Sequence, residues 1–130
     1  MVAEPSAAEL GGAGPWQVAR EPAIGHAFAD VAVALVLGRV AAADCAAVAV
    51  IERDAPHRAL PFLCQHLVLL IPERAIHPDF QTAWEALPEA AWRGHHVTWI
   101  SGPSKTADIE QTLVYGAHGP LTLDVIAIAD

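Results

Sequence analysis

Basic residues are scarce in this chain. Seven of them, of which only Lys105 is a lysine, face 15 acidic residues in 130, a net charge of −8 with histidine neutral. With no basic cluster, the chain is repelled by phosphate backbones and anionic bilayers, so neither nucleic acid nor a membrane surface is an expected partner. Cysteine is scarcer still. Cys45 and Cys64 show neither a CxxC nor a Cys/His spacing, which leaves a disulfide framework, a zinc site and an iron–sulfur site without support. Both sit in apolar surroundings and read as buried thiols. Long apolar runs are missing too: residues 31–37 and 46–51 are separated by Gly38, Arg39 and Asp44, far short of the ~18 residues a membrane helix needs. Glu4 and Glu9 follow Met1 with no basic residue before Arg20, so no signal peptide is read and the expectation is a cytoplasmic protein.

What is abundant is apolar: 54% of the residues are hydrophobic, enough for one domain with a substantial core. Residues 1–29, rich in Ala, Gly, Pro and Glu, lack sustained periodicity and read as an irregular arm anchored by Trp16, Ile24 and Phe28. From residue 30 to 130 the chain reads as a single domain. Apolar stretches at 31–37, 47–51 and 66–71 have strand length, and their continuous character implies strands covered on both faces; two further strands are read at 97–101 and 121–129, the second partly alternating. Phe80, Trp84, Leu87 and Ala91 fall at helical spacing behind Asp79, predicting an amphipathic helix that ends near Pro88 or soon after. A second helix is expected from Thr106, a permitted N-cap, to Gly116, with Ile109, Leu113 and Val114 facing the sheet. This order predicts a three-layer α/β fold with a mainly parallel sheet.

Candidate chemistry gathers where strands end. Ser101-Gly102-Pro103-Ser104-Lys105-Thr106 joins a strand to the expected helix, at the carboxyl edge where open α/β sheets bind ligands. Gly102 permits a close turn, Ser104 and Thr106 offer hydroxyls, and Lys105 adds a positive charge beside a helix N-terminus: the parts of an ordinary capped turn, or of an anion cradle. The Walker glycine spacing is absent. His118 and Gly119, ahead of Pro120, form a turn into the last strand, or place a titrating group at the same edge. His57 and Arg58 can bind a carboxylate or phosphate, or form a polar loop while residues 60–63 close over the core. Asp44, Asp108 and Glu110 are the candidate acids, although Asp108 and Glu110, two apart, do not share a helix face. His95 and His96 are adjacent and would point to opposite sides of a strand, and none of the seven histidines has a metal-ligand spacing. No metal and no cofactor is expected.

The run from Ile100 through Gln111, followed by Leu113-Val114, Gly116 and His118-Gly119-Pro120, resembles the signature of the LUD-domain family, the lactate-utilisation protein C group. His57-Arg58-Ala59-Leu60-Pro61-Phe62 with Gln65-His66-Leu67-Val68-Leu69 resembles a second block of one branch of that family. The resemblance implies a NagB/RpiA/CoA-transferase-like α/β fold and a place in L-lactate utilisation, where iron–sulfur partner proteins carry the redox chemistry. Two departures stand out. Where the family has an acid, then Thr or Asn, then Gly, this chain reads Asp44-Cys45-Ala46, which would compromise a turn needing positive φ. Many members also carry helices ahead of the sheet, so part of the sheet is expected to be uncovered and closed by a partner copy, making a homo-oligomer. The implied function is an accessory, small-anion-binding subunit of lactate oxidation. The alternatives are an enzyme acting on a phosphorylated or CoA-linked substrate, and a degenerate copy kept for assembly.

Overall fold

Each of the five apolar runs becomes a strand in the computed structural model, which describes residues 31–55, 58–102, 105–107, 113–115 and 119–129. In chain order the elements are β1 (Val33–Leu37), β2 (Val40–Ala42), β3 (Ala47–Ile51), α1 (Leu60–Leu63), β4 (His66–Pro72), β5 (Ile76–His77), α2 (Phe80–Ala86), α3 (Glu89–Trp92), β6 (Val97–Ser101), β7 (Lys105–Ala107), β8 (Leu113–Tyr115) and β9 (Thr122–Ile128). The anchors expected in the arm, Trp16, Ile24 and Phe28, lie outside the described residues.

The strands form a wholly parallel sheet in the order β1-β4-β9 and a mixed sheet in the order β5-β2-β3-β6, beside the small β7-β8 hairpin. In the mixed sheet β2 pairs antiparallel with β3 and parallel with β5, while β3 pairs antiparallel with β6. Alternation decides what each face covers. Ala34 and Val36 of β1 and Leu67, Leu69 and Ile71 of β4 pack against Ala41, Val48 and Val50 of the mixed sheet, with Leu60 and Cys64 closing one side. The opposite phase of the mixed sheet, Val40, Ala42, Ala49 and Ile51, packs on Ala83 and Leu87 from the helical layer. β3 is therefore buried along its whole length, which accounts for its unbroken Ala-Val-Ala-Val-Ile run. On the outer face of the parallel sheet Val33, Leu35, Ile126 and Ile128 are exposed, and no described element packs over them.

The helical layer follows local rules. Asp79 caps α2 by accepting from the Thr82 amide at 2.8 Å, and this bond holds its carboxyl below the usual range. Pro88 disfavours helical backbone at Leu87, so α2 stops at Ala86 and α3 begins afresh at Glu89. His95 and His96 precede β6 instead of lying within a strand. Among the described residues no helix is long and apolar enough to cross a membrane.

One expected element is overturned. The helix predicted from Thr106 to Gly116 is replaced by β7 and β8, paired antiparallel as Lys105 with Tyr115, Thr106 with Val114 and Ala107 with Leu113. Thr106, Val114 and Tyr115 are β-branched or aromatic, and with a cross-strand partner available, extended backbone outcompetes the weak helix signals of an N-cap and a terminal glycine.

The two sheets are joined at a single step of the chain. Gly38 N–H donates to Leu70 of the parallel sheet, and the next residue, Arg39, donates to Ala49 of the mixed sheet, both at 2.8 Å. A side chain at Gly38 would collide with the Val48 γ-methyl and crowd Ile71, which lie in the core between the sheets. Replacing Gly38 with Ala should lower stability by about 1–3 kcal/mol, the usual cost of overpacking. Chemical denaturation measures it, and an unchanged midpoint would contradict the close approach.

The Arg39 side chain secures the same step. It grips Asp54 with two hydrogen bonds of 2.5 and 2.8 Å. Burial alone would raise the Asp54 carboxyl, but the hydrogen bond and charge of Arg39, together with Arg53, hold it below its ordinary value. A depressed carboxyl stabilises the fold fully above its unfolded value near 3.9, and that contribution is lost as pH falls through the folded value. The melting temperature should thus be lowered by Asp54→Asn at pH 7, by the equivalent of about 1–2 kcal/mol after solvent screening, and less so at an acidic pH well below the ordinary carboxylate value. An equal effect at both pH values would exclude the ion pair as its source.

Candidate functional site

At one end of the mixed sheet the carboxyl ends of β2, β5 and β6 meet the amino end of β3. The turn at 43–46 is held there from two directions. Ala43 and Asp44 donate their amides to the carbonyls of His77 (2.8 Å) and Pro78 (3.2 Å), and the Asp44 carboxylate accepts the Phe80 amide at 3.4 Å. From the other side Ser101, paired with Ala47 across β3 and β6, donates its hydroxyl to the Cys45 carbonyl at 2.7 Å. Asp44 is thereby set beside the strand end that leads into Gly102.

Two residues at this edge have left-handed backbone. Gly102 has φ +49° with open space where a side chain would begin, and Ala46 has φ +50°. The turn lacking the expected glycine at Ala46 therefore forms, with an L-residue bearing the conformational cost. Beyond Gly102, Lys105 opens β7, and three extended residues span at most about 11 Å, so its backbone stays within that reach of the edge. Asp44, Ser101 and Gly102 are exposed. Together the edge carries the Asp44 carboxylate, which accepts the Phe80 amide, and the Ser101 hydroxyl, which is spent on the Cys45 carbonyl, with the backbone of Lys105 a few residues beyond.

The cysteines divide. Cys64 is buried as expected, but Cys45 is exposed, because the hairpin places it in the turn and not in a strand. Partial desolvation, then the hydrogen bond and charge of Asp44, push the Cys45 thiol up, so it stays protonated at neutral pH and is no ready nucleophile.

The other candidates scatter. Arg58 lines a cavity at the opposite end of the β3–β6 pair, where Ile51 faces Val97, whereas Gly102 follows the end where Ala47 faces Ser101. Gly119 stands ahead of the amino end of β9, where Leu121 N–H bonds Gln65 and the Thr122 hydroxyl meets His66 Nδ1 at 2.6 Å. Thr106 pairs with Val114 through backbone in the hairpin, so the helix N-terminus expected there is not part of the edge. His57, Ser104, Asp108, Glu110 and His118 lie outside the described residues. Among the described residues no group of three His, Cys, Asp or Glu could hold a metal ion. The Ser101 anchor on Cys45 escaped sequence reasoning, because nothing local announces a bond made 56 residues away.

A family model described as LUD domain matches residues 7–128. The lactate utilization protein C of Geobacillus kaustophilus is 30% identical over 117 residues, covering 84% of this chain and 49% of that protein. Its namesake in Deinococcus radiodurans is 34% identical over 110 residues, covering 83% and 52%. The chain thus spans about half the length of these curated relatives. The crystal structure of a DUF162 family protein from Deinococcus radiodurans superposes with a TM-score of 0.63 at 20% identity, covering 84% of this chain and 60% of that one, which establishes a common α/β fold with a parallel sheet.

The left-handed Ala46 can be tested directly. An L-residue in this region costs about 1–2 kcal/mol, offset in glycine by about 0.5–1 kcal/mol of extra backbone entropy, so Ala46→Gly should stabilise by about 0.5–1 kcal/mol. Ala46→Val, β-branched, should destabilise. Thermal melting reads both, and a loss of stability in the glycine variant would overturn the assigned conformation.

Proposed function

Because the chain belongs to the LUD domain family, we propose that it acts in L-lactate utilisation as a non-redox subunit that holds a small anion at the edge formed by the turn at 43–46, Ser101 and Gly102, with Lys105 as the cation. The observation carrying this reading is the convergence of the Asp44 turn and the Gly102 strand end on one open edge. An acidic protein needs a local positive element to hold an anion, and the single lysine, Lys105, opens β7 three residues after Gly102, which supports it in that role. The names of the relatives, lactate utilization protein C, support the physiological setting. In this reading iron–sulfur oxidoreductase subunits carry the electrons. The exposed apolar face of the parallel sheet supports self-association into a homo-oligomer.

The exposed Asp44 carboxylate favours a second reading, an enzyme acting on a phosphorylated or CoA-linked substrate. Turnover by the purified protein separates the two. For the anion site, calorimetry with L-lactate and pyruvate should find Lys105→Ala weaker than the natural chain by about 1.5–3 kcal/mol, or ten- to a hundredfold, with little change in melting temperature. Unchanged affinity would reject the site.

A further inference from the structure

The cavity of about 390 Å³ at the far end of the β3–β6 pair carries a ligand chemistry of its own. Its floor is apolar, made by Val50 of β3 with Pro61 and Phe62 of α1, and Thr98 opposite Val50 adds a hydroxyl. Two opposite charges line it. The Glu52 carboxylate is fixed by the His96 amide at 3.4 Å, and Arg58 is exposed and has no carboxylate partner among the described residues, Glu52 included. An exposed guanidinium at a cavity is a ready bidentate receptor for a carboxylate. A ligand that is only an anion would meet repulsion from Glu52, and one that is only a cation would meet it from Arg58. A ligand bearing both charges on one carbon and an apolar tail satisfies all three surfaces. The volume is at the small end of ligand pockets, which span about 300–1,000 Å³, and suits a metabolite without a nucleotide.

We propose that this cavity binds a small apolar α-amino acid as its zwitterion, with the carboxylate on Arg58, the ammonium on Glu52 and the side chain over Val50, Pro61 and Phe62. The site is separate from the Gly102 edge and does not rest on the reading given for that edge.

The test is calorimetry on the full chain with L-leucine, 4-methylpentanoate, which lacks the ammonium, and 3-methylbutylamine, which lacks the carboxylate. L-Leucine is expected to bind, with each truncated analogue at least tenfold weaker. Arg58→Gln, at an exposed residue, and Glu52→Gln should each weaken L-leucine by about ten- to a hundredfold, the loss that follows removal of a charge-assisted hydrogen bond. Melting curves identify any variant that has lost its fold, and Arg58→Gln decides the matter if Glu52→Gln has. Lys105→Ala should leave L-leucine binding unchanged. Absence of L-leucine binding at about 10 mM, a dissociation constant weaker than any specific site of this design would give, overturns the proposal. So does 4-methylpentanoate binding as tightly as L-leucine, an Arg58→Gln variant that binds as well as the natural chain, or a loss of binding in Lys105→Ala.

Discussion

The passage of the backbone from one sheet to the other at Gly38 and Arg39 is the constraint on which the architecture depends. Consecutive amides bond to different sheets, so the parallel sheet and the mixed sheet cannot separate or slide without breaking one of them. The approach is close enough that only hydrogen fits at Gly38, against Val48 and Ile71. Arg39, on the far side of the step, is tied to Asp54 at the end of the buried strand. Two sheets held at this distance trap Ala34, Val36, Leu67 and Leu69 against Ala41, Val48 and Val50, and that layer defines where the strand ends emerge.

What emerges at one end is a site built mostly from backbone. Asp44 reaches its position because its amide and carboxylate are engaged by Pro78 and Phe80 at the entry to α2, and its neighbour's carbonyl by Ser101 at the end of β6. The left-handed Ala46 is tolerated because these bonds over-determine the turn, the circumstance in which strained backbone persists. At the other end of the same strand pair the chemistry is carried by side chains, Glu52 and Arg58, around an apolar floor. One rigid pair of strands, β3 and β6, thus separates two unlike environments by its own length.

Most of the strand framework was legible in the residues. Apolar runs of strand length marked β1, β3, β4, β6 and β9; the unbroken run of β3 reflects burial on both faces, whereas β1 and β9 keep apolar residues on an exposed outer face. Asp79 and the spacing of Phe80 and Trp84 marked α2, because its cap and stripe are local. The segment from Thr106 was misread, since a permitted N-cap and a closing glycine are weak signals beside a cross-strand partner that no local window contains. Cys45 looked buried because its neighbours in sequence are apolar, yet a hairpin turn lifts it out of the layer those neighbours form.

By itself the sequence determined the α/β class, the poverty in positive charge that makes Lys105 the one lysine available to an anion, and the Asp44-Cys45-Ala46 departure at a turn. These are properties of composition and of short windows. Tertiary structure alone decided that β2, β3, β5 and β6 form a second, mixed sheet, that Ser101 holds the Cys45 carbonyl, and that Arg58 lies at the end away from Gly102. Each depends on strand register, which is set by the sum of many distant packing contacts and therefore leaves no mark in any short stretch of residues.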